Sequence, residues 1–335
     1  MTIREQQELQ EETYLSPYAA LSKESKGRKK KEPQCDIRPV FQRDRDRILH
    51  CKAFRRLKQK TQVFLLPKGD HYRTRLTHTL EVSQNARTIA KALRLNEDLA
   101  EAIALGHDLG HTPYGHAGER ALDSIASIRF AHNEQSIRVV EVLEKQGEGL
   151  NLTAEVLDGI LNHQTDGMPS TLEGQIVRLS DKMAYINHDI DDAIRGGIMT
   201  EEDIPKELSN TLGRSTHIRL DTMVHDVITQ SMERPYIKMS DEISQATMDL
   251  RKFMFQHVYE NPIAKGEEEK AIHMLTNLFQ YYMDHIELLP EQYFRIMKKR
   301  GDSKEQIICD YIAGMTDSYA VKKFEEFFVP KSWNI

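Results

Sequence analysis

Cysteine is scarce in the 335-residue sequence: Cys35, Cys51 and Cys309 are an odd number with no CxxC spacing. That excludes a disulfide framework and a thiolate metal site, and it fits a reducing cytoplasm. Long apolar runs are missing as well. Hydrophobic residues make up 39% of the chain, yet none of its stretches approaches the roughly 20 residues that span a bilayer. The first residues are rich in Gln, Glu and Arg and lack the apolar stretch of a secretory signal, so a soluble cytoplasmic protein without a membrane partner is expected. Also absent are internal repeats and the alternating pattern of half-buried strands. Apolar residues instead recur at three- and four-residue steps, which predicts an all-α fold with one main body and appendages.

The net charge of -6 hides an asymmetry. Residues 23–60 hold 15 Lys or Arg against five Asp or Glu, a basic segment attached to an acidic remainder. A stretch of that kind, with GRKKK at 27–31, reads either as a solvated arm or as a surface for a polyanion. Single-stranded nucleic acid is the macromolecular partner it suggests.

Several helices can be placed from their stripes. One starts near Thr77 and carries Val82, Ala86, Ile89 and Leu93; His78, four residues before Val82, shares that face and points inward. The next, with Asn96 as N-cap, aligns Leu99, Ile103 and His107 before GHDLGH breaks it with Gly110 and Pro113. AGERALDSIASI, NEQSIRVVEVLEKQ and TAEVLDGILNHQ read as three more, punctuated by Gly147, Gly149 and an N-cap at Thr153. In GQIVRLSDKMAYINHDIDDAI, the residues Ile176, Leu179, Met183, Ile186 and Ile190 form the buried face. Asp181, Tyr185 and Asp189 make a separate polar stripe at four-residue spacing. Asn261 with Pro262 marks a boundary, giving a basic N-terminal segment at residues 1–60, a catalytic domain at 61–260 and a smaller helical part at 261–335. There, Ile272, Leu275, Phe279, Met283 and Ile286 share a stripe that reads as core or as subunit contact.

Two histidines and two aspartates form a natural ligand set for a divalent cation, since imidazole suits borderline metals and carboxylate neutralises charge. Adjacent His107 and Asp108 can reach one ion only where a helix ends, and the glycines with Pro113 mark that end. His78 and Asp181 then close a set that leaves positions open for water and a phosphate oxygen. Crowding His107, Asp108, His111 and His116 into one turn beside buried stripes would be expensive without a purpose.

The order RTRLTH, HDLGHTPYGHAGE, LSDKMAYINHD resembles the HD superfamily, and within it the dGTPase-like deoxynucleoside triphosphate triphosphohydrolases. FQRDRDRILHCKAFRRLKQKTQVF, FAHNEQSIR and DYIAGMTDSYA extend the resemblance over residues 14–319. It implies an HD-domain helical bundle and a homo-oligomer. His78, His107, Asp108 and Asp181 match the family's metal ligands, holding one divalent ion from among manganese, magnesium, iron, nickel and zinc, the first two favoured. His116 and Glu119 match its catalytic pair, and His111 a further histidine facing the phosphates. Gln59, Arg75, His132, Lys182, Tyr185 and Asp189 match substrate-binding positions, with Gln59 near the deoxyribose and Arg75 near the phosphates. Tyr185 is expected to crowd the 2′ position. The implied reaction is attack at the α-phosphorus of a dNTP, dGTP by default, giving deoxynucleoside and tripolyphosphate. The alternatives are another HD phosphohydrolase, acting on deoxynucleoside monophosphates or cyclic nucleotides, and a nucleic-acid-binding regulator on the same scaffold.

Overall fold

Side-chain caps fix most of the helix starts. In a computed structural model, which describes residues 1–62, 73–259 and 262–331, α1 (Ile3–Tyr14) opens on a reciprocal capping box between Thr2 and Glu5. The helices α2 (Val40–Leu49), α3 (Lys52–Arg56) and α4 (Arg75–Ala92) follow, the last beginning two residues ahead of the sequence expectation. Asn96 caps α5 (Glu97–Gly106) by accepting from the Leu99 amide at 3.2 Å. Next come α6 (Gly115–Ile125) and α7 (His132–Arg138), which runs through a π-helical turn at Val139–Leu143 into the short α8 (Glu144–Gly147). After α9 (Ala154–Leu161), Thr171 caps the long α10 (Leu172–Arg195). The rest of the chain is α11 (Lys206–Leu212), α12 (Thr216–Ser231), α13 (Asp241–Met254), α14 (Pro262–Asp284), α15 (Glu291–Arg300), α16 (Lys304–Ala313) and α17 (Asp317–Phe328). The fold is all-α. Strand pairing among the described residues is limited to isolated bridges at Arg28 with Thr153 and Thr61 with Thr74. No helix among those residues is long and apolar enough to cross a membrane.

The apolar side chains gather into two cores. In the first, α4, α5 and α10 pack on one another with α2 and α9 at their backs, burying Phe41, Val82, Ile89, Leu99, Ile103, Ile160, Ile176 and Met183. In the second, α14 lies between α6 and α16. Leu275 and Phe279 are buried there against Leu122, Ile308 and Ile312, while Ile272, Met283 and Ile286 cover its margin. Each side chain fully buried in this way contributes on the order of 1.5–3 kcal/mol, so the α14 stripe is core of this chain. Asn261, where a boundary was expected, lies outside the described residues. The two cores meet at the loop between α5 and α6 and share the wall of one cleft.

The basic segment is drawn into internal ion pairs. Arg28 reaches the fully buried Asp44 and also Glu32. Arg45 pairs with Asp98 at 2.6 Å, Arg47 with Glu32 at 2.5 Å and Arg38 with Asp46 at 2.6 Å. Lys29, Lys30 and Lys31 remain at the surface.

Candidate active site and metal cluster

The HD turn owes its shape to close backbone contact. At the end of α5 the His107 ring donates from Nδ1 to the Ala104 carbonyl at 2.6 Å, fixing its tautomer. Ser136 on α7 donates to the His107 carbonyl at 2.8 Å and accepts from the Gly110 amide at 2.9 Å. A Cβ at Gly110 would stand 2.2 Å from the Ser136 nitrogen, so only glycine lets α7 lie against this turn. Tyr114 then takes a left-handed conformation at φ 61°. Its backbone is held by Asp317 of α17, which accepts from the Tyr114 amide at 3.0 Å. Lys60 ties the same region from beneath, donating to the carbonyls of His111 and Ala313. Complete burial draws the Lys60 ammonium pKa down to about 7.

His78 comes from α4 and Asp181 from the middle of α10, with His78 Nε2 3.0 Å from Asp181 Oδ1. His107 Nε2 lies 3.4 Å from Asp108 Oδ1 and 3.8 Å from Asp181 Oδ1. Donor atoms about 3.0–3.4 Å apart are what two ligands at ~2.1 Å from one ion require, whether at right angles or tetrahedral. The buried His107 Nε2 has no hydrogen-bond partner among the described residues, while its other nitrogen is committed to a carbonyl. That orphaned lone pair, aimed between two carboxylates, fits a divalent cation. Desolvation favours protonation of both carboxyls but is overcome by the neighbouring imidazoles and, at Asp108, by the Arg75 guanidinium. Asp108 is held well below the usual carboxylate range by His107, His111 and Arg75, and Asp181 falls to about 2 beside His78 and His107.

The His78 ring leans on His188, Nδ1 to Nδ1 at 3.4 Å, and His188 in turn reaches Glu81 at 2.9 Å. Sequence reasoning missed this support. Its signal was spacing: Glu81 sits three residues after His78 and His188 seven after Asp181, each on the same helix face as its partner.

The cluster floors a cleft of about 730 Å³ whose lining includes Arg75, His78, Asp108, His111, His116, Glu119, His132, Asp181, Lys182, Tyr185 and Asp189. At its mouth stands the exposed His116, with Nδ1 2.9 Å from Glu119 Oε2. The other carboxylate oxygen accepts from the His132 amide at 2.8 Å and lies 3.0 Å from His132 Nδ1. Burial acts to raise the Glu119 pKa, but these two imidazoles overcome it and hold the carboxyl ionised far below its ordinary range. His111 stacks on His132 with ring centroids 3.9 Å apart, and burial beside Arg75 keeps it neutral.

Arg75 donates to Asp108 Oδ2 at 2.7 Å. Lys182 is half-buried, and desolvation together with Arg251 and Arg178 lowers its pKa. Burial pushes the Tyr185 phenol and the Asp189 carboxyl upward. Gln59 is placed elsewhere: it is exposed at the end of a 3-10 turn and lines no part of the cleft. Gln62, three residues on, lines it instead. Arg178, Arg251 and His163 also line the cleft and were not foreseen. Arg178 belongs to the Asp181 stripe one turn earlier, a signal that the spacing did contain.

Helices that converge buried histidines and aspartates on a cation-rich cleft define an HD-domain phosphohydrolase. Residues 75–186 match the HD domain family, and residues 237–326 match the phosphohydrolase-associated domain. The chain belongs to the deoxyguanosinetriphosphate triphosphohydrolase-like proteins. It is 60% identical to such a protein from Caldanaerobacter subterraneus subsp. tengcongensis, over 99% of this chain and 98% of that one. Identity is 48% with one from Desulfatibacillum aliphaticivorans, over 98% and 99% of the two chains, and 40% with one from Geobacter sulfurreducens, over 94% and 95%. A solved phosphohydrolase structure from Bacteroides thetaiotaomicron shares the fold, with a TM-score of 0.52 at 18% identity over 84% of this chain and 68% of that one.

Proposed function

We propose that the cleft hydrolyses deoxynucleoside triphosphates at the α-phosphorus, releasing deoxynucleoside and tripolyphosphate. The observation that carries this reading is one cavity of about 730 Å³ holding a buried His-Asp cluster at its floor and Arg75, Arg178, Lys182 and Arg251 along its walls. Charge on that scale suits a polyphosphate. The name shared by the relatives points the same way.

His78, His107, Asp108 and Asp181 would hold one divalent ion, manganese or magnesium by preference, supplying Lewis acidity and lowering the pKa of water. Arg75 and Lys182 bind phosphate oxygens. His111, kept neutral, offers a hydrogen bond without adding charge. Glu119 holds the Nδ1 side of His116, which leaves Nε2 to pass a proton to the departing 5′ oxygen. Tyr185, one turn beyond Asp181 on α10 and in the cleft lining, would crowd a 2′ hydroxyl. Asp189 bounds the same wall.

Purified protein incubated with manganese and each dNTP, alongside GTP and dGMP, tests the reading by anion-exchange separation of products. Deoxynucleoside plus tripolyphosphate, absent with GTP and lost in His107→Ala, is the expected result. Orthophosphate from dGMP alone would assign a monophosphatase instead, and no turnover of any nucleotide would turn attention to the regulatory alternative.

A further inference from the structure

A second, smaller cavity of about 40 Å³ lies among α3, α8, α15 and α16 and shares no lining residue with the cleft. Lys52, Arg56, Lys60 and Lys145 line it together with two acids, Glu144 and Asp310. Both acids are already engaged. Glu144 accepts from the Lys52 and Ala53 amides at 3.2 and 2.8 Å. Asp310 takes the Arg138 guanidinium at 2.7 Å and the Gln135 side-chain amide at 3.0 Å. The cations are not: none of the four has an ion-pair partner among the described residues. Arg56 also lacks a hydrogen-bond acceptor there, and a Cβ at Gly314 would stand 3.2 Å from its Nη1, so the bare backbone leaves the guanidinium room. Lys60 gives two of its ammonium protons to the carbonyls of His111 and Ala313 and keeps a third. Arg56 adds to burial in drawing that ammonium down to about 7, two cations set against each other with no anion between them. In the same lining Lys145 and Gln146 hold left-handed backbone at φ 50° and 60°, a strained conformation of the kind that persists at ligand clamps.

We propose that this cavity binds one tetrahedral oxyanion of the phosphate class, held by Arg56 and the third proton of Lys60, with the exposed Lys52 and Lys145 at its mouth. The guanidinium fork suits two phosphate oxygens, and the ammonium supplies a point charge to a third. Size excludes a nucleoside: one water needs roughly 10–15 Å³, so about 40 Å³ admits a small ion but neither base nor sugar. The ammonium that meets the anion also fastens the His111 carbonyl. An anion here therefore keeps Lys60 charged and steadies the turn that carries His107, Asp108 and His111. Free orthophosphate and the end group of a longer polyphosphate offer the same chemistry, and the site does not depend on what the cleft cuts.

Chelator-stripped full-length protein, in which no metal in the cleft can recruit the ion, is titrated calorimetrically with inorganic phosphate at low salt. One phosphate per chain should be lost from this cavity in Arg56→Gln, its affinity falling by about tenfold or more, as expected for one charge-assisted pair. Lys52→Ala combined with Lys145→Ala should weaken it severalfold, and both side chains are exposed, so the fold is kept. Arg178→Ala combined with Lys182→Ala, which strips cations from the cleft, should leave it in place. Titration with tripolyphosphate separates the sources: tighter binding than phosphate, equally sensitive to Arg56→Gln, assigns a chain end, and weaker binding assigns the free ion. Absence of phosphate binding would overturn the proposal. So would binding unchanged in the Lys52 and Lys145 variant, even where Arg56→Gln fails to fold in urea melts, and so would binding lost only with the cleft cations.

Discussion

A buried histidine can offer a lone pair to a cation or a phosphate only when its other nitrogen already has work. In this cleft Nδ1 of His107 is tied to the Ala104 carbonyl and Nδ1 of His116 to Glu119. The consequences differ with exposure. His107 is fully buried and aims at carboxylates, so its free nitrogen suits a metal. His116 is exposed at the mouth, where substrate and water can reach Nε2 and proton transfer is the chemistry available. His116→Gln should therefore leave metal content and fold intact while kcat falls by roughly 10²–10⁴, the range general acid catalysis supplies. Metal analysis alongside steady-state kinetics separates this from a binding defect, in which KM would rise and kcat stay.

At the scale of elements, Glu173 in the first turn of α10 joins three parts of the fold. Its Oε1 accepts from the Ala20 and Asn96 amides, both at 3.0 Å, while Oε2 has no partner among the described residues. Burial, more than the nearby Glu11, raises this carboxyl to about 7. Between about pH 4.5 and 7 the folded chain thus keeps a proton that the unfolded chain releases. Stability contributed at this site falls as pH rises through that window, and the cost of the buried charge is complete above it. Glu173→Gln keeps the accepting oxygen and removes the titration. The variant should match the parent in urea melts near pH 4.5 and exceed it above pH 7 by about 1–3 kcal/mol. A variant that matches the parent near pH 4.5 but is less stable above pH 7 would show that the ionised carboxylate is a net stabiliser. The same elements show what the sequence could reveal. Stripes located α4 and α10, and a stripe with the Asn96 cap located α5, because apolar spacing and a capping side chain act locally. The HD turn brought His107 and Asp108 together legibly for the same reason. Gln62 went unread because no motif or spacing marks it, and only the fold brings it to the cleft wall. His163 was invisible for another reason: a histidine just past a helix end looks alike in sequence whether it faces a metal or a carbonyl, and only packing brings it to His132.

Over the whole molecule, the local charge excess divides between arginines held in ion pairs and lysines that stay exposed. Several of those arginines pair with acids within residues 23–60, Glu32, Asp44 and Asp46, and Arg28 serves as a staple rather than a phosphate contact. Its guanidinium meets Asp44 and donates to the carbonyls of Asn151 at 2.6 Å and Val40 at 3.0 Å. Asp44 accepts in turn from the Thr153 amide and hydroxyl, at 2.8 and 2.7 Å, joining α2 to the start of α9. Removing one partner of such a buried pair strands the other, at a cost of about 3–5 kcal/mol. Arg28→Met should accordingly shift the urea midpoint sharply downward. Replacing the neighbouring Lys29, Lys30 and Lys31 together with alanine should leave the midpoint in place, since those ammonium groups stand in water where pairing contributes little. If single-stranded DNA binds this protein, those three lysines are where its phosphates would lie, and the triple variant would lose that binding and its salt dependence while remaining folded. Loss of stability in the lysine variant, with Arg28→Met unaffected, would reverse the assignment and make the surface lysines the staple.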